Sequence, residues 1–346
     1  MKAVSNSFKE FKNSIYFQLF NYESFKISRR GMWNIVSLAI LVGYFLLCDF
    51  LKQYWPKKVE NPGKFYFFVT LGIHHTYFIT NNFVMYLVYK LNHPIFEQYK
   101  TSSEPWPWEE NYTEWRKLLS ETFKQLFINQ FIVVPLLLLP YLINNNSIGS
   151  VEYDELPNLL TTVLHLCFFM IVEDFLFYWS HRILHHKSIY SKIHKRHHMY
   201  KKVVGIASEF CHPIEMILAN TIPTSAGLLI LGKRTHLYIY YVWMIFRMSE
   251  TTDGHSGYEF PWVPFRFIPL GAGQEFHNYH HLNFDGNYGS FTTFWDRICN
   301  TTNKPFIKYI DNLHKNGKSS NTINFNNDPC EDEKKERIKD IDKKLD

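Results

Sequence analysis

The chain has 346 residues, of which 46% are hydrophobic and 18% are aromatic, and its formal net charge is +5. This mild charge, without a stripe of Lys and Arg, excludes a typical nucleic-acid-binding protein. The five cysteines are scattered and form no C-x-x-C motif, which argues against a disulfide framework and a thiolate zinc site. Histidine, with 17 copies, is the residue type that needs an explanation.

The first thirty residues alternate aromatic residues with lysines, as in SFKEFKNSIYFQLFNYESFK. This pattern predicts an amphipathic segment, residues 1–31, that lies on a membrane surface. We expect no cleavable signal peptide here, because the region is charged instead of carrying an apolar core.

Apolar residues are gathered into long blocks further along the chain. A membrane-crossing helix needs roughly 20 such residues, and the candidates are residues 33–51, 65–89, 126–143 and 156–180. Two shorter blocks, residues 217–231 and 237–246, predict a helical hairpin that dips into the membrane. The alternative for each block is a core helix of a soluble protein, and it is strongest for 65–89, which contains two His and two Asn.

Together the blocks predict an all-α fold, a polytopic membrane helical bundle formed by residues 32–302. The loop 144–155 contains no Lys or Arg, whereas many follow the fourth block, so the histidine-rich stretch after that block is expected to face the cytosol. Three lysines in the first luminal loop are a mild contradiction: Lys57, Lys58 and Lys64.

Residues 303–346 form a charged tail that is predicted to be disordered. The tail ends in Lys343, Lys344, Leu345 and Asp346, which looks like a dilysine retrieval signal of endoplasmic reticulum membrane proteins. We therefore expect a multi-pass protein of that membrane, with its active site and C-terminus in the cytosol.

Twelve of the histidines lie between His181 and His281, and their spacing is regular. His181 and His185 are four residues apart, so they share one face of a helix. The pattern H-x-x-H-H occurs twice, at 194–198 and at 277–281. On a helix its first two histidines face the same way and the third is turned from the second by about 100°, so one motif can serve two neighbouring metal ions. The resulting candidate ligands are His181, His185, His194, His197, His198, His277, His280 and His281.

A cluster of this kind would not stabilise the protein without a metal, because charged imidazoles repel one another and buried neutral ones need hydrogen-bond partners. Neutral imidazole suits Fe, Zn and Cu, and the lack of Cys or Met partners argues against Cu(I). An iron site would oxidise unactivated C–H bonds, which side chains alone cannot do, whereas zinc would favour hydrolysis. Histidine count alone leaves both open.

Five further residues are candidates near such a site. His212 precedes a proline at a helix start, a common place for a histidine that binds no metal. Asp253 precedes His255 by two residues and could orient its ring. Asp174 lies in an apolar block, where an acid is costly and faces the interior. Glu209, in SEFCHPIE, is the third acid that could orient a metal ligand. His186 follows a candidate ligand but points elsewhere, so it is expected to bind no metal.

The ordered motifs HRILHHKSIYSKIHKRHH, GIASEFCHPIE, DGHSGYEFPW and FHNYHHLNFDGNYGSFTTFWDRI resemble the fatty acid hydroxylase superfamily. Within it, SEFCHPIE, HSGYEFPW and GNYGS make the sequence most similar to the C4-methylsterol oxidases, or methylsterol monooxygenases. The good match covers about residues 172–301. KVVG at 202–205 and NT at 300–301 depart from the family pattern; they remove no ligand and bear only on the choice of sterol.

The resemblance implies a di-iron oxygenase that oxidises the 4α-methyl group of 4-methylsterols to the alcohol, the aldehyde and the carboxylic acid. It implies two iron ions, electrons from NAD(P)H through cytochrome b5 or its reductase, and other sterol C4-demethylation enzymes as partners. The family's ligands carry over to the eight histidines above and also to His212 and His255.

Two alternatives stay open. The same scaffold could act on another sterol or lipid as a hydroxylase or desaturase. The chain could instead be a non-enzymatic metal-binding or transport membrane protein, although the histidines cluster at one end and do not line several segments through the bilayer.

Overall fold

The computed structural model describes residues 31–316, and side chains up to residue 310. The predicted N-terminal surface segment and the dilysine signal lie outside these residues. Residues 31–316 are helical and contain no β-strand, only isolated bridges. The predicted all-α fold is confirmed.

Nine helices of ten or more residues occur within residues 31–316, and they are numbered here in chain order. They are α1 (Trp33–Leu51), α2 (Pro62–Leu91), α3 (Tyr112–Ile128), α4 (Val134–Ile143), α5 (Leu159–Leu184), α6 (Ile222–Leu231), α7 (Leu237–Gly254), α8 (Gly273–Asn283) and α9 (Lys304–Asn316). Two π-helical segments, Asn129–Val133 and Met216–Thr221, lead into α4 and α6. Short helices lie at Pro94–Glu97, Pro107–Glu110, Pro213–Glu215 and Phe294–Ile298, and 3₁₀ turns include His194–Met199 and Gly205–Glu209.

Within residues 31–316, four helical stretches are long and apolar enough to cross a membrane: Trp33–Tyr54, Tyr112–Ile143, Leu159–Leu184 and Pro213–Arg234. In α1 the side chains of Ile35 and Leu46 are 72% and 58% exposed. Exposed apolar faces of this length require a lipid environment. The chain is therefore a polytopic helical membrane protein, as its sequence predicts.

The predicted blocks differ from the helices in three places. The third block is the end of a longer unit, Tyr112–Ile143, whose first turns are too polar to stand out by hydropathy. The first arm of the predicted hairpin belongs to a full-length candidate span, Pro213–Arg234. The second arm continues to Gly254, because the polar residues after Phe246 turn inward and are paired there.

The tail also begins differently from its prediction. Residues 304–316 form α9, and Phe306 and Ile310 of this helix are buried against Phe276 and Tyr279 of α8. The helix was not predicted because charged residues dominate the tail and its apolar residues are few. The domain limits at 31 and 302 stay predictions.

Close helix packing positions the end of the bundle that carries the histidines. α5 packs along α6 at Gly227, where a Cβ atom would lie 2.3 Å from Cδ1 of Phe169. A small residue lets two membrane helices approach each other in this way. α7 packs on α2, α5 and α8, so the C-terminal ends of α5 and α7 meet α8 at one place.

Candidate metal centre

Nine histidines converge where α5 and α7 end against α8. Group one is defined as His181, His185, His194, His198 and His280, and group two as His197, His255, His277 and His281. Within each group the possible ligand atoms all lie within 4.8 Å of one another. His185 is half-buried and the other eight histidines are buried.

Each H-x-x-H-H motif contributes to both groups. In the motif at 194–198 the first and third histidines join group one and the middle one, His197, joins group two. The motif at 277–281 does the reverse, since its middle histidine, His280, joins group one. The expectation that the first two histidines act together is wrong, since in both motifs the first and third share a group. In the α-helical motif at 277–281 this follows because residues four apart differ by about 40° around the helix and residues three apart by about 60°.

Backbone carbonyls hold the outer ring nitrogen of five histidines. A carbonyl only accepts hydrogen bonds, so each of these Nδ1 atoms carries the proton and donates it, which leaves Nε2 unprotonated. The donor and acceptor pairs are His181 with Tyr288 at 2.9 Å, His280 with Gly286 at 2.7 Å, His281 with Tyr200 at 3.1 Å, His255 with Thr251 at 2.8 Å and His197 with Phe210 at 3.3 Å.

The Nε2 atoms of each group face one another. In group one, Nε2 of His194 lies 3.1 Å from the unprotonated Nε2 of His181 and 3.0 Å from Nε2 of His198. In group two, Nε2 of His277 lies 2.9 Å from that of His255 and 3.1 Å from that of His281. Lone pairs at these distances repel unless a cation lies between them. Imidazoles that bind one ion at about 2.0–2.1 Å place neighbouring nitrogens about 3 Å apart, so each group fits a metal.

Burial keeps the rings in the metal-binding form. Removal from water lowers the pKa of His197 to about 4 and holds those of His194, His255 and His277 well below the usual value. Neighbouring imidazoles lower the pKa of the last three further. The rings are therefore neutral at physiological pH, as metal ligands must be.

One carboxylate contacts a histidine of the centre, and sequence reasoning missed it. Oε1 of Glu215 lies 2.7 Å from Nδ1 of His194, and the two side chains are 4% and 1% exposed. A carboxylate in this position orients the ring and makes it a stronger ligand. The signal was present in the motif HPIE, but nothing in the spacing connects Glu215 with a histidine 21 residues earlier.

The three acids predicted to orient ligands bind other groups. Asp174 accepts hydrogen bonds from the amide and hydroxyl of Thr292, at 2.8 and 2.6 Å. Asp253 pairs with Arg266 at 2.8 Å. Glu209 accepts a hydrogen bond from the Gln130 amide at 3.2 Å.

His212 lies outside both groups, unlike the other nine predicted ligands. Its Nδ1 accepts a hydrogen bond from the Ile214 amide at 3.1 Å and so caps the helix Pro213–Glu215. Because that lone pair already serves the backbone, the structure gives His212 the capping role that its position before a proline suggests. His186 also lies outside the groups and is exposed.

Comparison with known proteins places this arrangement in a family. The fatty acid hydroxylase family matches residues 166–301, which include all nine converging histidines. Methylsterol monooxygenase 1 of Gallus gallus is 32% identical over 307 residues, covering 88% of this chain and 86% of the relative. The chain belongs to the fatty acid hydroxylase family. Methylsterol monooxygenase 1 of Danio rerio, another relative, is 33% identical over 84% of this chain and 98% of its own.

Not every relative of this fatty acid hydroxylase family member carries the same name. A very-long-chain aldehyde decarbonylase of Oryza sativa subsp. japonica is 42% identical over 149 residues, covering 42% of this chain and 54% of the relative. No solved structure matches the chain significantly. The family, the relatives and the histidine groups identify a membrane oxidoreductase of the monooxygenase type with a metal cofactor.

Proposed function

We propose that the chain is a di-iron oxygenase that oxidises the C4-methyl group of 4-methylsterols to the alcohol, the aldehyde and then the carboxylate. The observation that carries this proposal is the convergence of unprotonated Nε2 atoms into two adjacent groups. The names of the relatives from Gallus gallus and Danio rerio supply the substrate class.

All ten residues of the ligand prediction except His212 belong to the proposed iron site, five histidines for one ion and four for the other. Bound iron supplies the dioxygen chemistry that breaks an unactivated C–H bond, which side chains cannot do. The protein holds the rings in place through the carbonyls that accept from Nδ1, and through Glu215 at His194. Burial of the cluster excludes water from the reacting region.

Two electrons per oxidation must come from outside the chain. We propose NAD(P)H as their source and cytochrome b5 or its reductase as the carrier, at the cytosolic face of the endoplasmic reticulum. Exposed cations flank the centre at Lys187, Lys192, Lys195 and Arg196, which suits an acidic electron carrier. The other enzymes of sterol C4 demethylation are the proposed neighbours in the membrane.

The second candidate is oxidation of another sterol or lipid on the same scaffold. The relative named for very-long-chain aldehydes favours it, because it shares 149 residues at 42% identity. A transport function is disfavoured, since both histidine groups lie together at one end of the bundle.

The test uses membranes that contain the protein, supplied with a 4,4-dimethylsterol, NADH and air, with sterol products followed by mass. We expect oxidised C4 products from the native chain and none from His197→Ala. His186→Ala is the matched control, because this exposed histidine lies outside both groups, and it should keep full activity. If the native protein holds two iron ions yet forms no sterol product, the substrate assignment is wrong. If it binds no iron even when prepared without air, the di-iron proposal is wrong.

A further inference from the structure

Two cavities adjoin inside the bundle. The metal cavity is lined by histidines of both groups, among them His181, His194, His255 and His277. The chamber, as the second cavity is called here, is lined by residues of α2, α4, α6, α7 and the segment before α6. These include Thr70, Val134, Leu138, Ser225, Met244 and Met248. Asn220, Arg247 and Thr251 line both cavities and so form a neck between them.

The chamber lies among helices that face lipid. Pro213–Arg234 and Tyr112–Ile143, which contribute its walls, are both long and apolar enough to cross a membrane. Its lining combines Val, Leu and Met side chains with polar ones, among them His74, Glu209 and Arg247, which suits a largely apolar ligand that carries a polar group. An apolar body in the chamber would therefore present one end, through the neck, to the metal cavity.

We infer that the chamber holds the ring system of the sterol, and that the side-chain amide of Asn220 binds the sterol's 3-hydroxyl group at the neck. This inference rests on the proposed function. In a 4-methylsterol the hydroxyl stands on the ring carbon next to the one that carries the reacting methyl group. When the methyl group reaches the metal cavity, the hydroxyl must lie at the neck.

Of the three neck residues, Asn220 is the one whose side chain is an amide, with separate neutral donor and acceptor groups. The Arg247 guanidinium is held by Glu173 at 2.5 Å and by Glu250 at 3.0 Å. The Thr251 carbonyl accepts from His255 of group two at 2.8 Å, which ties this residue to the metal centre.

The amide nitrogen of Asn220 contacts Cys211 Sγ at 3.9 Å, a long bond to a weak acceptor. Asn220 also lies on the π-helical segment Met216–Thr221. Such segments re-aim side chains and occur frequently at functional sites. Its amide can donate to the hydroxyl oxygen or accept the hydroxyl proton, so this side chain recognises a hydroxyl without carrying a charge.

Binding measured on the iron-loaded protein without dioxygen tests the role of Asn220 apart from turnover. The native chain should bind a 4-methylsterol about tenfold more tightly than its 3-deoxy analogue, as expected for one buried hydrogen bond. In Asn220→Leu the affinity for the hydroxysterol should fall and the affinity for the 3-deoxy analogue should stay unchanged. The variant should therefore bind the two equally well. Asn82→Leu, a matched change on α2 outside both cavities, should keep the preference. A preference that survives in Asn220→Leu overturns the assignment.

A second pair of variants tests the chamber. Ser225 lines it, whereas Leu229, also on α6, lines neither cavity and is 51% exposed. Ser225→Phe should fill the chamber and lower sterol affinity at least tenfold with iron content unchanged, and Leu229→Phe should change neither.

The two hypotheses fail in different ways. If sterol binding follows this pattern but no oxidised product forms, the inference stands and the proposed chemistry fails. If product forms while Asn220→Leu and Ser225→Phe bind sterol like the native chain, the proposed function stands and the inference fails.

Discussion

The contact between Glu215 and His194 leads to a prediction that distinguishes the two histidine groups as proposed metal sites. Glu215→Gln keeps the shape of the side chain but replaces a charge-assisted hydrogen bond with a neutral one. The first kind contributes about 1.5–3 kcal/mol and the second about 0.5–1.5 kcal/mol. Because both partners are less than 5% exposed, solvent does not screen the difference. A loss of about 1.4 kcal/mol is a tenfold loss of affinity, at the lower end of what removal of a ligand's hydrogen-bond partner causes.

The assay is a titration of ferrous ion without dioxygen, against a chelator of known affinity. We expect the affinity of one of two sites to fall at least tenfold in Glu215→Gln, while the other stays unchanged, because only group one contains His194. Asp174→Asn is the matched control, since that carboxylate binds Thr292 and no histidine. Equal affinities in Glu215→Gln and the native protein, or an equal loss in Asp174→Asn, would refute the reasoning.

Three further predictions concern single features. His212→Ala should retain both metal ions by mass spectrometry of the native protein and lose at most about 1 kcal/mol of stability, because it removes only a helix cap. Gly227→Ala should lower the thermal unfolding temperature in detergent, at a cost of about 1–3 kcal/mol, since its Cβ would meet Phe169; an unchanged temperature would contradict the packing. The metal-free protein should lose stability as the pH falls from about 6.5 to about 4. Burial lowers the pKa of His197 to about 4, so in this window His197 binds its proton only in the unfolded chain. The free energy of unfolding should fall by about 3 kcal/mol across the window. Denaturant unfolding at several pH values measures this loss.

Hydropathy predicts a membrane helix well where apolar residues dominate its whole length. The block 33–51 coincides with α1, Trp33–Leu51. The polar half of Tyr112–Ile143 was missed because it carries exposed charged side chains, such as Glu121 and Lys124. The last two turns of α7 were missed because their polar side chains are paired inside the bundle. Arg247 is an example: it is buried between Glu173 and Glu250, so its polarity indicates an interior ion pair and not a helix end.

The sequence predicted which histidines come together, but it did not predict how they divide between the two groups. Regular spacing of imidazoles gave eight of the nine histidines that the structure brings together, and the family resemblance gave the ninth, His255. Glu215 and the carbonyls that orient the rings come from distant segments, and spacing carries no information about them. His212 shows the converse, because the family resemblance supplied it as a ligand, whereas the structure places it outside both groups and in a helix cap.

Because each H-x-x-H-H motif contributes to both histidine groups, the order of synthesis decides when each group is complete. Residues 181–198 hold four of the five histidines of group one, but the fifth is His280. Group two likewise depends on His197, which is translated well before His255 and the final pair. Neither half of the chain can build a complete group, so a ribosome must pass residue 280 before group one is complete and residue 281 before group two is complete. Both groups therefore stay unfinished until α8 has been translated.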